Sequence, residues 1–211
     1  MEYKNEAVKE MIEAVLRNFW LSILDGKLEV NVNDVVNITQ NTIEGLMEEY
    51  FEGIEDNTRK AGYYNPRPYF NAVRFAQTSK NYLLFEKNLT LLGHVYFYVF
   101  KCKGAIDKIA YMRAPQMLVY SQKHKTNYGM YGVFYCNSEK GNDCLRNMEN
   151  PAHNEWKVTN WRDGKRQNPK ARIVLREMDD FINDCLDKTF SLKDKIAIDI
   201  KGLEDFLYIP T

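Results

Sequence analysis

The sequence predicts an α+β domain: an antiparallel or mixed sheet of four to five strands flanked by three to four helices. Three observations carry this. Toward both ends of the chain, apolar residues recur every three or four positions, the period of a helix with one buried face. The middle, residues 89–136, is aromatic and β-branched, with turn residues between short runs. The 211 residues are 45% hydrophobic and 27% charged, enough to bury one core. Residues 1–211 therefore read as a single domain, with 168–211 as a C-terminal helix and tail.

In NEAVKEMIEAVLRNFWLSIL (5–24), Val8, Met11, Ile12, Val15, Leu16 and Phe19 share one helix face, with Asn5 as a candidate N-cap. Asp25-Gly26 turns the chain into LEVNV (28–32), a half-buried strand. TIEGLMEEYFEGI (42–54) is a second helix, capped by Thr39 or Asn41. Residues 55–68 are polar, and the prolines of NPRP forbid regular structure there. FNAVRFAQ (70–77) is ambiguous.

LTLLGHVYFYVFKC (89–102) reads as one long strand. IDKIAYMR (106–113) follows the hairpin-like Lys103-Gly104, QMLVYSQ (116–122) follows Ala114-Pro115, and YGMYGVFYC (128–136) follows the basic turn KHKTN. Gly93, Gly129 and Gly132 point to a bulge or a close backbone approach. GNDCLRNMEN (141–150) is a short helix stopped by Pro151. NPKARIVLREMDDFINDCLDKTF (168–190) has Asn168 as N-cap and Pro169 opening the helix. KIAIDIKGLEDFLYIPT adds one more strand and a turn.

Composition excludes some function classes. Lys and Arg number 29, as do Asp and Glu, so no global field draws the chain to nucleic acid or membrane. Cys102, Cys136, Cys144 and Cys185 are scattered in a chain without a secretory apolar segment. Reduced thiols and a cytoplasmic location follow. No apolar run is long enough to span a bilayer.

Few residue patterns carry chemistry. Cys136, Cys144 and His153 lack the close ligand pairs of a structural zinc site, so no metal is expected. Cys144 and His153 with Glu149 would compose a small thiol hydrolase if the fold brought them together. Neither G-x-x-x-x-G-K-[ST] nor G-x-G-x-x-G is present, so the chain does not build a phosphate cradle and holds no cofactor of its own. Arg113, Lys123 and Lys125 stand at strand ends and turns, where a single cation can complete a phosphate site made by another domain. Trp161, Arg162, Lys165 and Arg166 make the segment 157–172 a candidate for nucleic-acid contact through phosphates and stacking. A solvated face is the plainer reading of each of these cations.

GNDCLRNMENPAHNEW (141–156) reads as a structural corner. Asn142 or Asp143 caps the helix, Leu145 and Met148 point inward, and Trp156 pins the following loop. Glu149 and His153 lie at the helix end. Arg146 is the candidate guanidinium that ties the helix to a neighbour.

The order of GHVYFYVF, IDKIAYMRAPQMLVY and YGVFYCNSEKGNDCLRNMENPAHNEW resembles the region that follows the ATP-binding domain in bacterial Hsp90-like (GHKL) ATPases, relatives of DNA gyrase B, MutL and MORC. YMRAPQM and LRNMENPAHNEW are its most distinctive pieces, and the resemblance covers roughly residues 10–190. It implies a transducer domain with a left-handed βαβ crossover, which couples ATP binding in an adjacent GHKL domain to conformational change in a DNA-transaction or phage-defence system. It also implies ATP and Mg²⁺ for the parent protein, a homodimer formed through that parent, DNA as a further partner, and no activity for this chain alone. The Asn-bearing and glycine-rich nucleotide motifs of the superfamily do not occur here. The chain is accordingly expected to be a piece of a longer ATPase.

Overall fold

A computed structural model describes residues 2–53 and 64–190. Its centre is a five-stranded mixed sheet of order β3-β4-β7-β5-β6. The strands are β3 (Tyr82–Leu89), β4 (Gly93–Lys101), β5 (Lys108–Arg113), β6 (Met117–Lys123) and β7 (Met130–Cys136). All neighbours are antiparallel except β5 and β7.

Helices cover both faces, and the alternation of strand side chains divides the core accordingly. Val95, Phe97, Val99, Ile109, Phe134 and Cys136 face α4 (Glu139–Met148) and α5 (Lys170–Phe190). Ala110, Met112, Val133 and Tyr135 face α1 (Glu2–Leu24), α2 (Ile43–Phe51) and α3 (Arg67–Arg74). Ile12, Leu16 and Trp20 of α1 are buried there, at helical spacing. Two small hairpins complete the fold: β1 (Val30–Val32) with β2 (Val36–Ile38), and β8 (Arg162–Asp163) with β9 (Arg166–Gln167).

The α+β class and the strand count are as the sequence predicts, while the helices number five among the described residues. Asn5 lies inside α1 and does not cap it. NPRP begins α3: Pro66 is its N-cap and Pro68 occupies the first turn, where a backbone N–H has no helical partner to lose. The run 89–102 is not one strand. Leu89 ends β3, and the chain turns through Thr90–Leu92 before Gly93 opens β4 at φ +65°.

Lys103-Gly104 is a turn, but β4 and β5 do not pair across it; β7 inserts between them. The parallel pair β5/β7 is joined through strand β6. No βαβ unit occurs among the described residues, so the expected left-handed crossover is not found there. The strand expected after residue 190 lies outside the described residues.

Close approach explains two glycines. A Cβ at Gly132 would stand 2.9 Å from the Phe97 ring, and one at Gly141 would stand 2.1 Å from the Leu92 carbonyl oxygen and 2.4 Å from Cys136 Sγ. The second contact presses α4 onto the β3–β4 turn, where Ser138 caps the helix by accepting from Gly141 N at 2.9 Å. Ser138, not Asn142 or Asp143, is therefore the N-cap.

Candidate functional site

The β5–β6 turn, Arg113-Ala114-Pro115-Gln116, holds the best-organised polar cluster. The Ala114-Pro115 bond is cis and Gln116 N donates to Arg113 O at 2.7 Å, which closes the turn. Because strand side chains alternate, Arg113 points toward the α4 layer while Met112 points toward α1.

Arg113 is locked into place. Its Nε and Nη2 engage the two oxygens of Glu149, the latter at 2.8 Å. Nη1 donates to Ala114 O at 2.6 Å and to Asn142 Oδ1 at 3.3 Å. The side chains of Arg113 and Glu149 are 8% and 2% exposed. Glu149 also accepts from Trp156 Nε1 at 3.2 Å and from His153 Nδ1 at 2.7 Å, so each of its oxygens receives two hydrogen bonds. Burial pushes the Glu149 carboxyl up, but the bonds from Arg113, His153 and Trp156 outweigh it and hold the group below the usual carboxylate range.

The loop after α4 is shaped to deliver these donors. Glu149 and Trp156 form an antiparallel bridge, and Lys157 N donates to Met148 O at 2.9 Å. His153 adopts φ +52° within the loop. The Trp156 indole meets the stacked rings of Tyr111 and Tyr120 edge-on, at 6.0 and 5.4 Å.

The opposite layer grips the same turn. Ser22 Oγ, in the last turn of α1, donates to Pro115 O at 2.5 Å, and Gln116 Nε2 donates to Asp25 Oδ2. A cavity of about 440 Å³ lies beside it, lined by Phe19, Leu28, Pro115, Gln116 and Tyr135 among others. One four-residue turn is thus fastened to α4 through Arg113 and to α1 through Pro115 and Gln116.

The expected phosphate cations do not converge. Lys123 pairs in register with Lys108, at the far end of β5 from Arg113, five residues or about 17 Å along the strand. Lys123 and Lys125 are exposed and line a separate cavity of about 500 Å³ with His124, Thr126, Asp179 and Asn183. Arg146 is exposed and does not make the junction expected of it; Arg113 does. The corner residues Glu149, His153 and Trp156 do come together. Arg162, Lys165 and Arg166 are exposed on the β8–β9 hairpin, while Trp161 is partly buried against the core.

His153 is bonded to Glu149, and Cys144 Sγ lies 3.9 Å from Leu91 O. Burial raises the Cys144 pKa, opposite to what a nucleophile needs. Among the described residues no three His, Cys, Asp or Glu side chains are grouped to hold a metal. No helix among the described residues is long and apolar enough to cross a membrane.

Sequence reading overlooked Ser22 and Gln116, and gave Asp25 to a turn and Asn142 to a helix cap; their observed partners depend on chain folding across the turn. It also overlooked Asp107. That buried carboxylate accepts from Thr126 Oγ1 at 2.6 Å and from the backbone N–H groups of Tyr128, Gly129 and Met130 at 2.7–3.1 Å. An acid just before an apolar strand, opposite a polar turn, was its only signal.

The chain matches no protein-family model, no curated protein and no solved structure.

Proposed function

We propose that this chain is a non-catalytic transducer module, coupling ATP binding in a neighbouring GHKL domain to conformational change, in the setting of a DNA transaction or phage defence. The observation that carries the reading is the Arg113–Glu149 pair. It joins YMRAPQM to LRNMENPAHNEW, the two segments in which the resemblance is most distinctive. The turn it holds is also bonded to the end of α1, so displacement of one helical layer is passed to the other through a short, hydrogen-bonded connection. ATP and Mg²⁺ belong to the neighbour. Because Arg113 is engaged by Glu149, Lys123 and Lys125 are the candidates left to reach a nucleotide held there.

Calorimetric titration of the chain with ATP and Mg²⁺, followed by a phosphate-release assay, tests the reading. No heat of binding and no turnover are expected from the chain alone. Sustained hydrolysis that survives repurification would contradict it.

A further inference from the structure

A cavity of about 570 Å³ opens where the Lys103-Gly104 turn meets the loop before β7, at the end of the sheet away from Arg113. Its volume falls in the range of small-molecule sites. The chain holds 29 basic and 29 acidic residues, yet among the described residues no Asp or Glu lines this cavity, whereas Lys101 and Lys103 do. Side chains alternate along β4, so Lys101 points with Val99 toward the α5 layer, and its ammonium stands 5.5 Å from the centre of the Phe190 ring. Neither lysine joins an ion pair among the described residues.

The backbone adds donors. Gly104 and Gly129, at φ +85° and +75°, let two chain segments approach closely: a Cβ at position 129 would stand 2.8 Å from Cys102 O and 3.3 Å from Gly104 N. Cys102 N donates to Gly129 O at 2.8 Å and Ala105 N to Cys102 O at 3.0 Å, while the N–H groups of Lys103 and Gly104 find no acceptor among the described residues. Successive free N–H groups in a turn form an anion-binding nest. The side-chain amides of Asn81 and Asn127, on the same lining, also have no partner among the described residues. Two rings complete the wall. Tyr128 stacks on Phe190 at 4.5 Å and 9°, and stays 40% exposed.

We infer that this cavity binds a small carboxylate carried on a flat aromatic body. The carboxylate meets the two ammonium groups and the free N–H groups of Lys103 and Gly104, the means by which backbone nests capture carboxylates. The ring covers Tyr128. A neutral aromatic molecule lacks the first contact and an aliphatic acid the second. A free aromatic acid and the C-terminal aromatic residue of a peptide share this chemistry. The inference does not rest on the transducer reading, because Lys101 pairs with Met130 at one end of the sheet and Arg113 with Cys136 at the other.

The test is calorimetric titration of the full chain with indole-3-acetate and with its neutral isostere indole-3-acetamide, alongside amide chemical shifts by NMR. The acid binds and shifts the amides of Lys103, Gly104 and Tyr128; the acetamide binds at least about tenfold more weakly, as expected when a charge-assisted contact is lost. Lys101→Gln/Lys103→Gln weakens the acid by a similar factor. Tyr128→Leu, which removes the ring face and keeps the apolar bulk, weakens it about three- to tenfold. Circular dichroism checks that both variants stay folded. N-acetyl-tryptophan is the second probe: tighter binding than indole-3-acetate assigns the site to peptide C-termini, and weaker binding assigns it to a free aromatic acid. Three results each overturn the inference: no binding of either acid at its solubility limit, equal affinity for indole-3-acetate and the acetamide, or binding that the lysine variant leaves unchanged.

Discussion

Arg113, the last residue of β5, and Glu149, just past the end of α4, meet as a buried bidentate pair across 36 positions of sequence. Neither charge has water to fall back on. Glu149 draws two further donors from its own loop, and Arg113 spends its remaining amino group on Ala114 O and Asn142.

Removing one partner should therefore cost far more than removing both. Glu149→Gln and Arg113→Met are each expected to lower the unfolding free energy by about 3–5 kcal/mol, since each leaves a buried charge uncompensated. The double variant Arg113→Met/Glu149→Leu should lose much less than their sum. Urea denaturation measures all three, and strict additivity would show that the pair is not coupled.

Acid should weaken the same junction. The folded pKa of Glu149 is lowered, so its contribution to stability is complete above the unfolded glutamate pKa and is lost as pH falls through the folded value. Urea midpoints should drop on acidification below the ordinary glutamate range. The Glu149→Gln variant should lack that part of the drop, and identical acid profiles for the two proteins would remove Glu149 as its source.

Gly141→Ala is expected to destabilise, although alanine is the better helix former by about 1 kcal/mol. The added methyl meets the Leu92 carbonyl and Cys136 Sγ well inside contact distance, and a backbone carbonyl cannot swing away. A net loss of about 1–3 kcal/mol follows from such overpacking. A raised melting temperature would place α4 farther from the β3–β4 turn than the structure does.

Burial raises the Cys136 thiol to about 11 and the Cys185 thiol to about 12. Both should resist a thiol reagent at mildly alkaline pH until denaturant is added. Fast labelling of either in the native protein, located by mass spectrometry, would mean that the core around it opens.

Much of this architecture is legible in the sequence because it is local. The spacing of Ile12, Leu16 and Trp20 announces the buried face of α1, and the alternation of Val95, Phe97 and Val99 announces the inward face of β4. The corner Glu149, His153 and Trp156 is legible for the same reason, since its members lie within eight residues. What hides is decided at long range. β3 carries Glu86, Lys87 and Asn88 just before its last residue, Leu89; the three are exposed and blur its alternation. Nothing near Lys103 signals that β7 will come between β4 and β5. Arg146 and Arg113 are chemically equivalent on paper; only pleat direction and the path of the 149–156 loop give Glu149 to Arg113.

Hydrogen exchange on this chain joined to a GHKL ATP-binding domain, with and without a non-hydrolysable nucleotide, tests the relay most directly. Nucleotide should change protection together in the end of α1, the 113–117 turn and the 149–156 loop, and Glu149→Gln should uncouple the loop from the other two. Protection that is identical in both nucleotide states across all three segments would contradict the proposal that this chain passes a nucleotide signal on.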